Sequence, residues 1–460
     1  MSLARLLRLS PYALFGFAVV GALVLVDGPH RPLPRSAGCI GLQNQAVGGV
    51  RVDASGAIQR LERDTLNTLA KQRANAAVGI APEMNRAGGM RKISLRALEA
   101  ALSKSLESGK PIPDEMQLLA GLQEIRYVFV YPEQKDIVLA GFGEGWKVTP
   151  RGDVIGATTG KPVLLLDDLL TALRSADQAA QGGISCSIDP TPEGLDRLRR
   201  HVSTLTDIGD PTQTGRAIEK VLGPQMVTVS GLATTSHFAH VMVAADYRMK
   251  RIGMNLDPSP VKGLTSYVQL LGGGGRGMSA VAPRWWLVPD FDPVLVDESG
   301  LAFELRTKGV KCLTEDTVFS ANGGKQQAGK SSPAAQRWAD MMTTKYAELA
   351  AKEPVFAELQ NVMDLAVVGA LIKKEDLARK AGYDLPLLLN STELPTEKLA
   401  AVKQTDSVAS LLKKGDNWII SASGGVQIDS WGLASAQQPS KELASTKPKL
   451  EAAAKHWWWD

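Results

Sequence analysis

Residues 184–205 read ISCSIDPTPEGLDRLRRHVSTL, and their reading decides how the middle of this 460-residue chain is built. Ile184, Cys186 and Ile188 alternate with Ser185 and Ser187, which gives an extended segment one apolar and one polar face. Asp189, Pro190, Thr191, Pro192 and Glu193 then supply a capping side chain, a proline suited to a first helical turn and an acid. Leu195, Leu198, Val202 and Leu205 recur at three and four residues, the buried stripe of the helix that follows. Two further strands are expected in QMVTVSGL (225–232) and HFAHVMVAADYRM (237–249), completing a β-α-α-β-β domain over 183–270.

Upstream, 46–178 reads as an α+β domain. GGVRVDASGAI (48–58) has the alternation and Asp-x-Ser-Gly turn of a hairpin, and SLRALEAALSKSLESG (94–109) has helical spacing with Ser94 as its N-cap. RYVFVYPEQKDIVLAGFGEGWKVTPRGDVIGATTGKPVLL (126–165) alternates strands with Pro- and Gly-marked turns. Downstream, a Gly-rich linker (271–282) precedes a domain over 283–435 that is strand-rich and then helical. Its most apolar segment, LQNVMDLAVVGALI (359–372), carries Asn361 and Asp364 and is too short for a membrane span, so it reads as a core helix. VLVDESGLA (294–302) and SGGVQIDSWG (423–432) echo the first hairpin without a fixed period, as reused turn chemistry. Residues 436–460 form a low-complexity tail ending in HWWWD.

At the other end, Arg5 and Arg8 precede an uncharged apolar run from Pro11 to Val26, the order of charge and hydropathy found in export signals. Residues 1–26 are therefore a signal peptide or membrane anchor; Pro29 just beyond the run is a poor cleavage context and favours the anchor. Residues 27–45, rich in Pro, Gly and Arg, read as a linker; Ser36-Ala37-Gly38-Cys39 ends like a bacterial lipid-attachment site, although the polar DGPHRPLPR separates it from the apolar run, and the alternative is a cysteine in a linker. The fold class expected is α+β, two or three mixed domains of β-hairpins and amphipathic helices behind an N-terminal membrane segment. A net charge of +4 gives no general reason to expect a nucleic-acid partner. Cys39, Cys186 and Cys312 cannot build a disulfide framework and include no C-x-x-C pair.

GKQQAGKS (324–331) fits the phosphate-loop pattern, with Gly324 and Gly329 framing the loop, Lys330 for phosphates and Ser331 for Mg2+. VLLLDD (163–168) resembles the apolar strand whose terminal acid, here Asp167, holds the metal in such proteins. Against a nucleotide site stand the Asn322-Gly-Gly break before the loop, the reversed order of the two segments, and the helical spacing of LDDLLTALRSA, where Asp167 or Asp168 serves as an N-cap. His237 and His240 form H-x-x-H, but in a strand that spacing turns the rings to opposite faces, so no metal is expected. Cys186 is a potential nucleophile with His201 or His237 as base, although its alternation with two isoleucines favours a buried structural thiol. Asp246, Arg248, Lys250 and Arg251 mark either a solvated face or the rim of a site. Trp285 and Trp286 are expected in the core. Trp457, Trp458 and Trp459 are expected to dock on a partner or a lipid interface.

Together ISCSIDPTPEGL, HFAHVMVAADYRMK, RWWLVPD and GGVQID resemble a family of uncharacterised exported proteins, described chiefly from planctomycete-type bacteria as domain of unknown function 1598. The resemblance runs from about residue 46 to 432 and leaves HWWWD outside. It implies no activity, cofactor or catalytic residue. The expected role is a non-catalytic binding or assembly module on the periplasmic side of the cell envelope. Its expected contacts are the membrane through residues 11–26 and an envelope protein through the Trp-rich C-terminus. The alternatives are nucleotide binding through Gly324, Gly329, Lys330 and Ser331, or an envelope hydrolase with an unidentified nucleophile.

Overall fold

The computed structural model describes residues 47, 50–53, 55–60, 84, 88–149, 153–205, 209–271, 278–281, 283–319, 325–327, 332–414, 416–447 and 458–459. The expected membrane segment 1–26, the linker 27–45 and Cys39 lie outside the described residues. The expected α+β character holds. β1 (Val50–Val52) and β2 (Ile58–Arg60) form the hairpin expected at 48–58, with the Asp53 carboxylate accepting from the Ser55 and Ala57 amides. β3 (Gly89–Ser94) ends at the residue whose hydroxyl caps α1 (Leu95–Glu107) by accepting from Ala97 N–H. β4 (Tyr127–Tyr131) and β5 (Asp136–Gly143) follow, then a separate small hairpin of β6 (Trp146–Val148) and β7 (Val154–Gly156).

α2 (Leu166–Gly182) leads into β8 (Ile184–Pro190), where Ile184, Cys186, Ile188 and Pro190 are buried and the residues between them are half-buried, as the alternation predicts. Thr191 caps α3 (Pro192–Thr204), with Pro192 in the first turn, and Asp210 caps α4 (Pro211–Leu222), which is followed by β9 (Gln225–Ser230). Residues 237–249 are not the expected strand. They form α5 (His237–Gly253), capped by Ser236 accepting from Ala239 N–H. Phe238, Ala239 and His240 to Asp246 are all buried, so the segment shows no polar stripe; its valines and phenylalanine mimic a strand because every side of the helix is covered. The unit is β-α-α-β-α.

β10 (Met278–Val281) pairs with a later strand. β11 (Pro283–Val296) and β12 (Ala302–Phe319) form a long hairpin, with β13 (Lys325–Gln327) on the far end of β12. α6 (Pro333–Thr344) and α7 (Pro354–Lys374) precede β14 (Gln404–Thr405), β15 (Ser410–Lys414), β16 (Asp416–Ile420), β17 (Ser423–Ile428) and β18 (Gln437–Pro439). α7 has the length and composition to cross a membrane, yet it is mostly buried within the fold and packs on α2 and α5. A Cβ on Gly369 would meet Ala172 O at 2.6 Å, so the helix backbones approach where only glycine fits.

Strands from all three expected stretches join one eleven-stranded sheet. Its order is β14-β9-β8-β17-β11-β12-β4-β5-β3, with β13 beside β12 and β18 beside β11. β17 runs parallel to β11 at Arg284–Leu287, while Ala302–Glu304 at the other end of the hairpin pair with β4. Register shifts between Asp290 and Phe291, and between Asp292 and Leu295, lie between these two groups of partners; such bulges turn a long paired strand. Trp285 is fully buried between Tyr267 and Trp338, with ring centroids 5.4 Å away on each side. Trp286, expected in the core as well, is only half-buried because its side chain leaves the other face of β11 and lies under Arg284. β4 is buried on both faces: Val128 and Val130 join the main core, and Tyr127, Phe129 and Tyr131 a second cluster that includes Leu443. Finally, Trp458 is buried and its carbonyl accepts from Ser94 N–H, so described residues of the Trp-rich tail lie against β3.

Candidate functional site

Two charged clusters contain some of the residues that the sequence marks for chemistry. The first is centred on Lys250, one helical turn from Asp246 on α5, and both are buried. The Lys250 ammonium donates to Asp246 Oδ2 at 2.8 Å, to Ile188 O of β8 at 2.8 Å and to Gly424 O of β17 at 2.9 Å, which uses all three of its protons. Gly424 has φ +100°, and a Cβ there would stand 2.0 Å from Trp285 O; its own N–H reaches Asp189 Oδ1 at 3.2 Å. The phrases ISCSIDPTPEGL, ADYRMK, RWWLVPD and GGVQID, far apart in the chain, therefore meet around one buried ammonium. Burial pushes the Asp246 carboxyl up to about 7 against the pull of Lys250, and its Oδ1 has no partner among the described residues. This cluster clamps a helix to two adjacent strands.

Arg248 and Arg251 are neither a solvated face nor an open rim. Arg248 donates to Asp257 at 2.6 Å and to Glu353 Oε2 at 2.6 Å, and Arg251 donates to both oxygens of Asp257 at 2.8 and 3.0 Å. They tie the end of α5 to the following turn and to the start of α7. Cys186 faces the core, and burial, with Asp246 nearby, holds its thiol far above the ordinary range. That is the reverse of what a nucleophilic thiolate needs. Cys312 is buried and held up in the same way.

The second cluster was not foreseen as a group. Asp167 and Asp168 are not the N-cap of α2, which is Leu165 without a side-chain cap; they occupy the first turn, where the helix dipole favours carboxylates. Asp168 Oδ2 and Oδ1 lie 2.9 and 3.1 Å from Nδ1 of His237, the first residue of α5, while Asp167 Oδ2 accepts from Glu397 N–H at 3.0 Å. The His237 side chain is 20% exposed and that of Asp168 5%, so this pair borders solvent where the Lys250 cluster does not. Burial pushes the His237 imidazole down, but the charge and hydrogen bond of Asp168, with the charges of Glu358 and Asp167, outweigh it and raise it to about 9. Burial raises Glu358, on α7, to about 7 and Asp167 to about 6. At neutral pH the pair is an imidazolium held by a carboxylate, suited to donating a proton or holding an anionic group.

His240, one turn on, is engaged elsewhere: its Nε2 donates to Ala400 O at 2.8 Å and burial pushes it down to about 4. H-x-x-H thus lies on a helix rather than a strand, yet the two rings serve different partners. Among the described residues no group of three or more His, Cys, Asp and Glu side chains is arranged to hold a metal ion. Neither His201, in the last turn of α3, nor His237, whose Nδ1 faces Asp168, has a hydrogen bond to Cys186 among the described residues. Gly324, Gly329, Lys330 and Ser331 lie outside the described residues. Of the loop between them, Lys325–Gln327 form β13, paired antiparallel with Thr317–Phe319, and Ser332 caps α6 by accepting from Ala335 N–H.

Comparison with known families adds one finding. Residues 186–267 match the model of a family described as protein of unknown function (DUF1598). The matched stretch opens at Cys186 in β8 and closes at Tyr267 against Trp285, so it contains Asp246 and Lys250; Gly424 and Trp285 join them from outside it. No curated protein and no solved structure matches the chain. The Asp168–His237 pair could not be read from the sequence because 69 positions separate its members. The only local signals were two acids at a helix start and a histidine directly after a capping serine.

Proposed function

We propose that this chain is a non-catalytic binding or assembly protein of the cell envelope, held at the membrane through residues 11–26. The observation that carries the non-catalytic part is the fate of the reactive residues: Cys186, His240, Asp246 and Lys250 are buried, His240 donates to a backbone carbonyl, and Lys250 donates to Asp246 and two backbone carbonyls. The envelope part rests on Arg5 and Arg8 ahead of the apolar run Pro11–Val26.

A second reading is favoured by one feature, the solvent-bordering Asp168–His237 pair, which resembles the acid–base half of a hydrolase site. Labelling separates the two. In the binding reading, Cys186 and Cys312 of the folded protein resist iodoacetamide until denaturant is added, and no serine takes a fluorophosphonate probe. Stoichiometric labelling of one serine or of Cys186 in the folded state, lost in H237N, would establish the hydrolase instead.

A further inference from the structure

Among the described strands β3 is the last of the main sheet, paired through Gly89–Ser94 with β5. An outer strand of this kind presents a row of unsatisfied backbone groups and is a template for another extended segment. Here the template is in use. Ser94 N–H donates to Trp458 O at 2.9 Å, and Ile93 forms an antiparallel bridge with Trp459. Trp458 is 7% exposed and belongs to the main core cluster, with Trp459 packed partly buried against it.

Arg91, two residues along β3 from Ile93, places its guanidinium 5.6 Å from the centre of the Trp459 ring. That guanidinium is fixed from behind by Met84 O at 2.6 Å and Glu144 O at 3.0 Å, and by Ala120 O, so the platform is built by the body of the protein. Glu144 is itself locked: its Oε1 accepts from Gln123 and from the amides and hydroxyl of Thr158 and Thr159. A cation held by three carbonyls, the ladder position at Ile93–Ser94 and the core cluster against which Trp458 and Trp459 pack together make a receptor for an extended segment bearing adjacent tryptophans.

We infer that the outer edge of β3 is a strand-addition site for such a peptide, that Trp458 and Trp459 occupy it in cis, and that the partner able to replace them is the same segment of a second copy of this chain. Every contact of the docked tail is available to an identical tail from another molecule, which is the condition for exchange between copies. The ten residues 448–457 between Lys447 and Trp458 span up to about 35 Å when extended, and a tether of that length favours the cis arrangement at low protein concentration. The inference holds whether or not the protein is exported.

The test uses the full-length chain and a fluorescent peptide of residues 450–460, LEAAAKHWWWD. The W458A/W459A variant should bind the peptide saturably, the wild type at least about tenfold more weakly because its own tail competes, and neither should bind LEAAAKHWAAD. Hydrogen exchange at Ser94 should quicken in the variant and slow again with peptide. If the double variant does not fold, W459A carries the same comparison. In the wild type, concentrating the protein after partial denaturation should yield dimers that excess peptide suppresses. Equal binding by wild type and variant, or a folded variant that neither binds the peptide nor loses protection at Ser94, would overturn the inference.

Discussion

At the scale of single residues, Lys250 and His237 are both cations on α5, and their surroundings give them different work. Lys250 is buried and has three fixed acceptors. K250M should therefore cost about 3–5 kcal/mol, because it strands the Asp246 carboxyl beside the carbonyls of Ile188 and Gly424. D246L/K250M should recover part of that loss, since only the two carbonyls then lack a partner. Urea unfolding measures both, and a loss under about 1 kcal/mol for K250M would mean that the clamp contributes little. His237 borders solvent, and its raised value predicts a direct observable: an imidazole titration near pH 9 by NMR that falls in D168N, which removes the largest of the raising interactions. The folded value lies above the unfolded one, so the stabilisation is complete below pH 6.5 and is lost as pH rises through about 9. For a side chain partly exposed to water this amounts to on the order of 1–2 kcal/mol, and D168N should flatten stability between pH 7 and 9. A wild-type titration near 6.5 would contradict the assignment.

At the scale of elements, local chemistry was legible where the residue pattern had a single physical solution. β8 alternates strictly, Thr191 and Pro192 start α3, Ser94 caps α1, and the run containing Asn361 and Asp364 is a core helix, all as the residues indicate. α5 was misread because periodicity identifies a helix only when one side meets water, and this one is enclosed by α7, β8 and β17. Its true signals were quieter: Ser236 three residues before the amide it caps, and Asp246 four residues before Lys250. Trp285 and Trp286 leave opposite faces of β11, and the face that carries Trp286 is only partly covered, unlike both faces of β4. The pairing of Asp168 with His237 was concealed by the capping reading, because first-turn acids are common for electrostatic reasons alone.

At the scale of the whole molecule, the sequence gives no local cue to the sheet's order. β17 lies parallel to β11 and antiparallel to β8, and the four phrases of the resemblance converge only through that long-range pairing. The same holds for Trp458 and Trp459, whose partner strand lies more than 360 positions earlier. The proposed role at the envelope is likewise a property of the whole chain, and topology tests it most directly. A reporter active only outside the cytoplasm would be joined through a flexible linker after Asp460, with residues 11–26 intact or deleted, beside a matched cytoplasmic reporter. The account predicts activity of the exported reporter with the segment intact and its loss on deletion. A silent exported reporter with an active cytoplasmic one would contradict it.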